Sequence, residues 1–185
     1  TVADAAALCG TWLEGHPSFQ PTPTRTFEQA YPNRVVRAVE DMPTSFDPRD
    51  TRGSNCTVIS KVQDQSACGS CWAFGATESF ESRRCVATGM DKMFSADDTA
   101  GCCAGMKCGL SQGCGGGSPI AALEWMIHDG VLAAGEGVVS GGDYSTRGAG
   151  DTCKPYEFEP CAHHVTSSKY KACPTQEYSI SCAAK

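Results

Sequence analysis

The chain has 185 residues, 13 of them cysteine, and carries 15 Lys plus Arg against 21 Asp plus Glu for a formal net charge of −6. With a sequence pI near 5.1 and no Lys/Arg run, it offers no nucleic-acid or anionic-membrane surface, and no apolar stretch approaches the roughly 18 residues of a membrane span. The cysteine content points to an oxidising compartment, and the odd count leaves at least one thiol without an intrachain partner.

The length suits one domain of ordinary size plus something extra. Residues 1–41 read differently from the rest. Thr1 to Leu8 is alanine-rich and helix-friendly, Leu8-Cys9-Gly10-Thr11-Trp12-Leu13 follows, and Pro17, Pro21, Pro23 and Pro32 then favour extended chain. Such a segment is either a linker or a pro-segment lying over an active site. The first residue is Thr1 and no signal-type segment opens the chain, which reads as a removed signal or a start inside the gene product. Met42-Pro43-Thr44-Ser45-Phe46-Asp47 looks like the start of a mature domain.

The central stretch is Gln65-Ser66-Ala67-Cys68-Gly69-Ser70-Cys71-Trp72-Ala73-Phe74. Ala73, Ala76, Phe80 and the stem of Arg84 fall at helical spacing, so a helix should run from Cys71 to about Cys85, with Ser70 at its N-cap. A cysteine opening a helix meets orphan N–H groups and the positive end of the dipole, which favour the thiolate, the nucleophilic form. Gln65 can offer its amide to a developing oxyanion beside the backbone N–H of Cys71. The bland alternative makes Cys68 and Cys71 disulfide partners in a small secreted domain; it explains neither Gln65 nor the helix start.

Further along, Ser95-Ala96-Asp97-Asp98 has capping-box character and should open a short helix. Cys102-Cys103-Ala104-Gly105-Met106-Lys107-Cys108 turns too tightly for a long element. Ser118-Pro119 starts a helix that Gly130 ends, with Ile120, Leu123 and Ile127 on its apolar face. Residues 130–150 are glycine-rich, and loops and cysteines follow Cys153. His163 and His164 lie on one of those loops. Adjacent imidazoles are usually solvated. A metal pair is the next reading, weakened because neighbours rarely reach one ion and the nearby cysteines have disulfides to form.

These motifs together resemble the N-terminal part of a papain-family cysteine protease of the cathepsin B type. Leu8-Cys9-Gly10-Thr11-Trp12 is similar to the propeptide segment that lies along the cleft. Gln65 and Cys71 match the oxyanion glutamine and the nucleophile. Cys114-Gly115-Gly116-Gly117-Ser118-Pro119 resembles the glycine motif beside the substrate, and Pro160-Cys161-Ala162-His163-His164-Val165 resembles the occluding loop. The resemblance implies an α+β papain-like fold, with a helical, disulfide-rich left domain present and the β-rich right domain missing. Residues 1–41 would be the end of the propeptide, and 42–185 a partial peptidase domain.

Several roles follow from the resemblance alone. Cys71 and Gln65 would be catalytic. Gly116, Gly117, Trp72, His163 and His164 would bind substrate, the histidines receiving its C-terminal carboxylate, and Asp64 would hold His163 down. The glycines have a reading of their own, since an extended peptide bonds to backbone and a missing Cβ lets it approach. They also suit a turn before a helix. The implied disulfides are Cys56–Cys85, Cys68–Cys114, Cys102–Cys182, Cys103–Cys108 and Cys161–Cys173, with Cys9, Cys71 and Cys153 outside them. No cofactor or metal is implied. The partners would be peptide and protein substrates and the chain's own propeptide, with no nucleic acid or membrane, in a lysosomal or equivalent acidic compartment, or secreted.

The thiolate also needs a histidine base and an orienting asparagine. His16, His128, His163 and His164 do not match that histidine, which lies roughly 130–150 residues beyond the nucleophile in papain-like enzymes. The expected activity is therefore that of a full-length zymogen, endopeptidase and C-terminal dipeptidase, with this fragment inactive alone. The rival reading is a non-catalytic truncated homologue or pro-segment module that binds or inhibits a protease.

Overall fold

The computed structural model describes residues 44–51, 55–131, 133–134, 155–163, 166–174, 180 and 182. Its helices are α1 (Pro48–Thr51), α2 (Cys71–Thr88), α3 (Ala96–Cys102) and α4 (Pro119–His128), with single 3-10 turns at Thr57–Ser60, Met106–Cys108 and Gly113–Gly115. Strand pairing among the described residues is limited to the isolated bridges Phe94 with Ala133, Gly105 with Ser111, and Ala162 with Ala172.

Helix α2 is the axis of the core. Its buried side, including Trp72, Ala73 and Ala76, packs with Ala122, Trp125 and Met126 of α4 and Ala100 of α3. It runs past Cys85 to Thr88, because Gly89 supplies the left-handed C-cap, φ 76°, and returns its N–H to the Cys85 carbonyl at 2.7 Å. A second cluster of Cys56, Val58, Cys85 and Met93 lies toward the other end of α2.

The short helices start as their sequences dictate. Ser95 Oγ accepts from Asp98 N–H at 2.8 Å, and Ser118 Oγ accepts from Ala121 N–H at 3.3 Å with Pro119 at the first helical position. The inward face of α4 is rotated from the expected one: of Ile120, Leu123 and Ile127, Leu123 alone packs on the core. Ile120 and Ile127 are 49% and 75% exposed, while Ala122, Trp125 and Met126 are buried. Both sets have helical spacing; the large Trp125 side chain, paired with the Ala122 notch, buries more apolar surface and sets the rotation.

Five disulfides staple the chain: Cys56–Cys85, Cys68–Cys114, Cys102–Cys182, Cys103–Cys108 and Cys161–Cys173. Their Cα separations are 5.7, 4.7, 4.6, 5.2 and 4.8 Å. Each closed loop is worth about 2–4 kcal/mol against the unfolded chain, a large share for a fold with so little sheet. Cys71 takes part in no disulfide. Cys9 and Cys153 lie outside the described residues.

Candidate active site

The start of α2 is held from several directions. Cys68, three residues before Cys71, is bonded to Cys114, and the next side chain, Trp72, is completely buried and donates its indole N–H to the Gly113 carbonyl at 3.0 Å. Gly117 backs onto that indole: a Cβ there would lie 2.5 Å from Trp72 Cδ2 and 2.6 Å from Ser111 Oγ. The missing side chain of Gly117 is thus required by the packing of Trp72. Gly116, beside it, is buried with φ at 107°, a conformation that glycine adopts without strain.

Ser70 occupies the N-cap position without capping through its side chain. Its φ of −100° and ψ of 14° lie outside the extended region, and its hydroxyl is instead 2.9 Å from the Tyr156 hydroxyl. Tyr156 donates to the Gln65 carbonyl at 2.8 Å, so it accepts from Ser70. One phenol therefore ties Gln65 to the residue before Cys71. Burial raises the Tyr156 pKa, so the hydroxyl keeps the proton it donates. The ring sits edge-on to Phe74, with centroids 4.7 Å apart, and Asp97 accepts the Glu157 N–H at 3.1 Å, bracing the same segment against α3.

Cys71 faces a cavity of about 520 Å³ lined by Gln63, Asp64, Gln65, Cys71, Phe74, Gly75, Glu78 and His163. Cys71 and the exposed Gly75 lie one helical turn apart on this wall. Gln65 donates its Nε2 to the Cys68 carbonyl at 2.7 Å, which orients the amide beside the helix start. Asp64 caps its own turn, accepting the Ser66 N–H at 2.7 Å, and places Oδ1 3.3 Å from His163 Nε2. That pair is partly open to solvent. His163 also lies 3.3 Å from Cys173 Sγ through Nδ1 and 3.7 Å from Cys161 Sγ through Nε2. Two sulfurs and an imidazole so close could hold a metal, but here the sulfurs are bonded to each other and are not thiolate ligands.

Glu81 is the unusual acid. It is 1% exposed; Oε2 accepts from the Phe94 N–H at 2.9 Å and Oε1 from Gln63 Nε2 at 3.2 Å. Burial, with added repulsion from Glu78, pushes its carboxyl up to about 7. Burial also raises Glu78, one turn nearer Cys71.

Of the residues singled out in the sequence, the structure gathers Cys71, Gln65, Asp64 and His163 around one cavity. Trp72 has no exposed surface and packs in the core directly behind Cys71. Gly116 and Gly117 are buried, Gly117 against Trp72, and neither lines this cavity. His164 and the segment Leu8–Trp12 lie outside the described residues. Sequence reasoning missed Tyr156 and Glu81 as site supports. An acid on the helix face shared with Ala73 and Ala76 and a tyrosine after Pro155 were the available signals, and neither identifies a partner.

A cysteine at a helix start, an amide beside it and an imidazole paired with a carboxylate thus line one cavity. The chain belongs to the papain family of cysteine proteases, whose model matches residues 42–184. Within that family it is similar to cathepsin B-like cysteine proteinase 6 of Caenorhabditis elegans, 41% identical over 140 residues, 75% of this chain and 33% of that protein. It is also 43% identical over 155 residues to the gut-specific cysteine proteinase of Caenorhabditis elegans, 80% of this chain and 41% of that one. The chain thus spans less than half the length of these relatives. Its fold is similar to that of procathepsin B S9 from Trypanosoma congolense, with a TM-score of 0.52 at 24% identity over 87% of this chain and 49% of that one.

Proposed function

We propose that this chain carries the nucleophile half of a cathepsin B-like cysteine peptidase, and that the full protein hydrolyses peptide bonds through the Cys71 thiolate. The observation that supports this most is the convergence of Cys71, Gln65 and the Asp64–His163 pair on one cavity. Cys71 is the first residue of α2 and lines the cavity. The thiolate attacks the scissile carbonyl. The oxyanion receives the backbone N–H of Cys71 and the amide of Gln65, an acyl-enzyme forms, and water releases it. The histidine base and its asparagine come from outside these 185 residues. Residues 1–41 act as the end of a propeptide over the cleft, and 42–185 belong to the peptidase domain.

His164 receives the C-terminal carboxylate of the substrate as an imidazolium, while Asp64 latches the neighbouring His163. This arrangement favours removal of C-terminal dipeptides over internal cleavage. An acidic or extracellular compartment fits five disulfides and a buried carboxyl that prefers to stay protonated. No helix among the described residues is long and apolar enough to cross a membrane.

In the full-length activated protein, His164→Ala should lower dipeptide release and spare internal cleavage; equal losses in both assays overturn the carboxylate-receptor role. An iodoacetamide probe should label Cys71. Labelling elsewhere, with Cys71 unreactive, overturns the nucleophile assignment.

A further inference from the structure

The structure assigns a second sulfur chemistry to this chain: we propose that the Cys161–Cys173 disulfide is a thiol-exchange site that an external dithiol opens with His163 as proton donor. The bridge is unlike the others in its surroundings. His163 lies against both of its sulfurs, Nδ1 at 3.3 Å from Cys173 Sγ and Nε2 at 3.7 Å from Cys161 Sγ, with Asp64 Oδ1 on that same Nε2 at 3.3 Å. Ser66 Oγ is 3.5 Å from Cys161 Sγ. The two sulfurs also differ in access, since Cys161 is buried and Cys173 half-buried.

That asymmetry sets the direction of the reaction. A dithiol, as thiolate, attacks the accessible Cys173 Sγ, and the S–S bond breaks with its electron pair on Cys161 Sγ. The leaving thiolate forms where the Ser66 O–H can hydrogen-bond to it and His163 Nε2, 3.7 Å away, can hand it a proton. A better-stabilised leaving thiolate speeds exchange. The second thiol of the reagent then attacks the mixed disulfide, releases Cys173 and leaves as a cyclic disulfide. In sum the bridge gains two electrons and two protons, and the dithiol loses them. None of the other four described disulfides has His163 beside it: Cys56–Cys85 and Cys103–Cys108 are buried at both cysteines, Cys102–Cys182 has Cys182 exposed, and Cys68–Cys114 shares the buried and half-buried asymmetry but lacks the imidazole. Opening the bridge removes the covalent tie that keeps His163 against Asp64, so the latch becomes responsive to thiols. The chemistry does not require the chain to be a peptidase, and its test does not read peptidase activity.

The experiment uses the full chain under native conditions, with Cys71 first blocked by iodoacetamide. Dithiothreitol is added, new thiols are trapped at intervals, and each disulfide's opening rate is read by peptide mapping. Cys161–Cys173 should open well before Cys56–Cys85 and Cys103–Cys108. His163→Ala and His163→Gln should each slow it by about 10²-fold, the low end for a positioned proton donor, with Cys102–Cys182 unchanged. Intact buried bridges in the same samples show that the variants are folded. An equal rate for Cys161–Cys173 with and without His163, or opening no earlier than the buried bridges, overturns the proposal.

Discussion

The two sides of the cavity are held by different physics. On the Cys71 side, Trp72 is fully buried, Gly117 leaves no room behind it, and Cys68–Cys114 and Tyr156 tie down the approach. On the His163 side, the loop meets the body through the Asp64–His163 contact, whose side chains are 28% and 27% exposed, beside a disulfide. Packing of the first kind is short-ranged and unforgiving, because a dense interior has one arrangement. Tethering of the second kind is adjustable, since solvent competes for exposed charges. The first fixes Cys71 in one position, and the second leaves His163 free to respond to its surroundings.

The largest effect that would test this contrast is chemical. In the full-length enzyme, Cys71→Ser should lower turnover on the order of 10⁶-fold, and Gln65→Ala by roughly 10²–10³ through loss of one oxyanion donor. Steady-state rates on one internal-cleavage substrate decide both. A Gln65→Ala variant with unchanged kcat would leave the amide a structural prop for Cys68 alone.

The next test concerns the buried acid that braces the cavity through Gln63. Below its ordinary value of 4.5, the Glu81 carboxyl is neutral in folded and unfolded chains alike. Between pH 4.5 and about 7 the unfolded chain releases this proton while the folded chain keeps it, so stability falls as pH rises. The total loss is ~3 kcal/mol for a shift of that size. Denaturant midpoints across this range should slope downward in the parent, and Glu81→Gln should flatten the slope. Parallel slopes in the two proteins would remove Glu81 as its source.

Smaller effects sharpen the distinction between the walls. Gly117→Ala forces a methyl group into the Trp72 ring and should cost about 1–3 kcal/mol of stability, read as a drop in Tm. Asp64→Asn breaks a half-exposed pair and should cost at most about 1 kcal/mol, leaving Tm almost unchanged while dipeptide release declines relative to internal cleavage. If Asp64→Asn proved the more destabilising of the two, the loop would be part of the core rather than a tether.

The sequence by itself determined the local features. Capping residues mark the starts of α3 and α4, Gly130 marks a helix end, and the helix opening at Cys71 follows from its periodicity, because each depends on residues within a turn or two. The motif Cys68-Gly69-Ser70-Cys71-Trp72 was equally legible as chemistry. Partner choice was not. Disulfide pairing reached the sequence reading only through resemblance, since spacing does not select partners. The tertiary structure decided which face of α4 turns inward, that Ser70 gives its hydroxyl to Tyr156 instead of the helix, and that Trp72 is fully buried. It also joined Glu81 to Gln63 and Phe94. Each of these depends on long-range neighbours that compete with the local preference, and burial makes the long-range partner prevail, because a polar group without a bond or an apolar ring left in water costs more than a cap forgone.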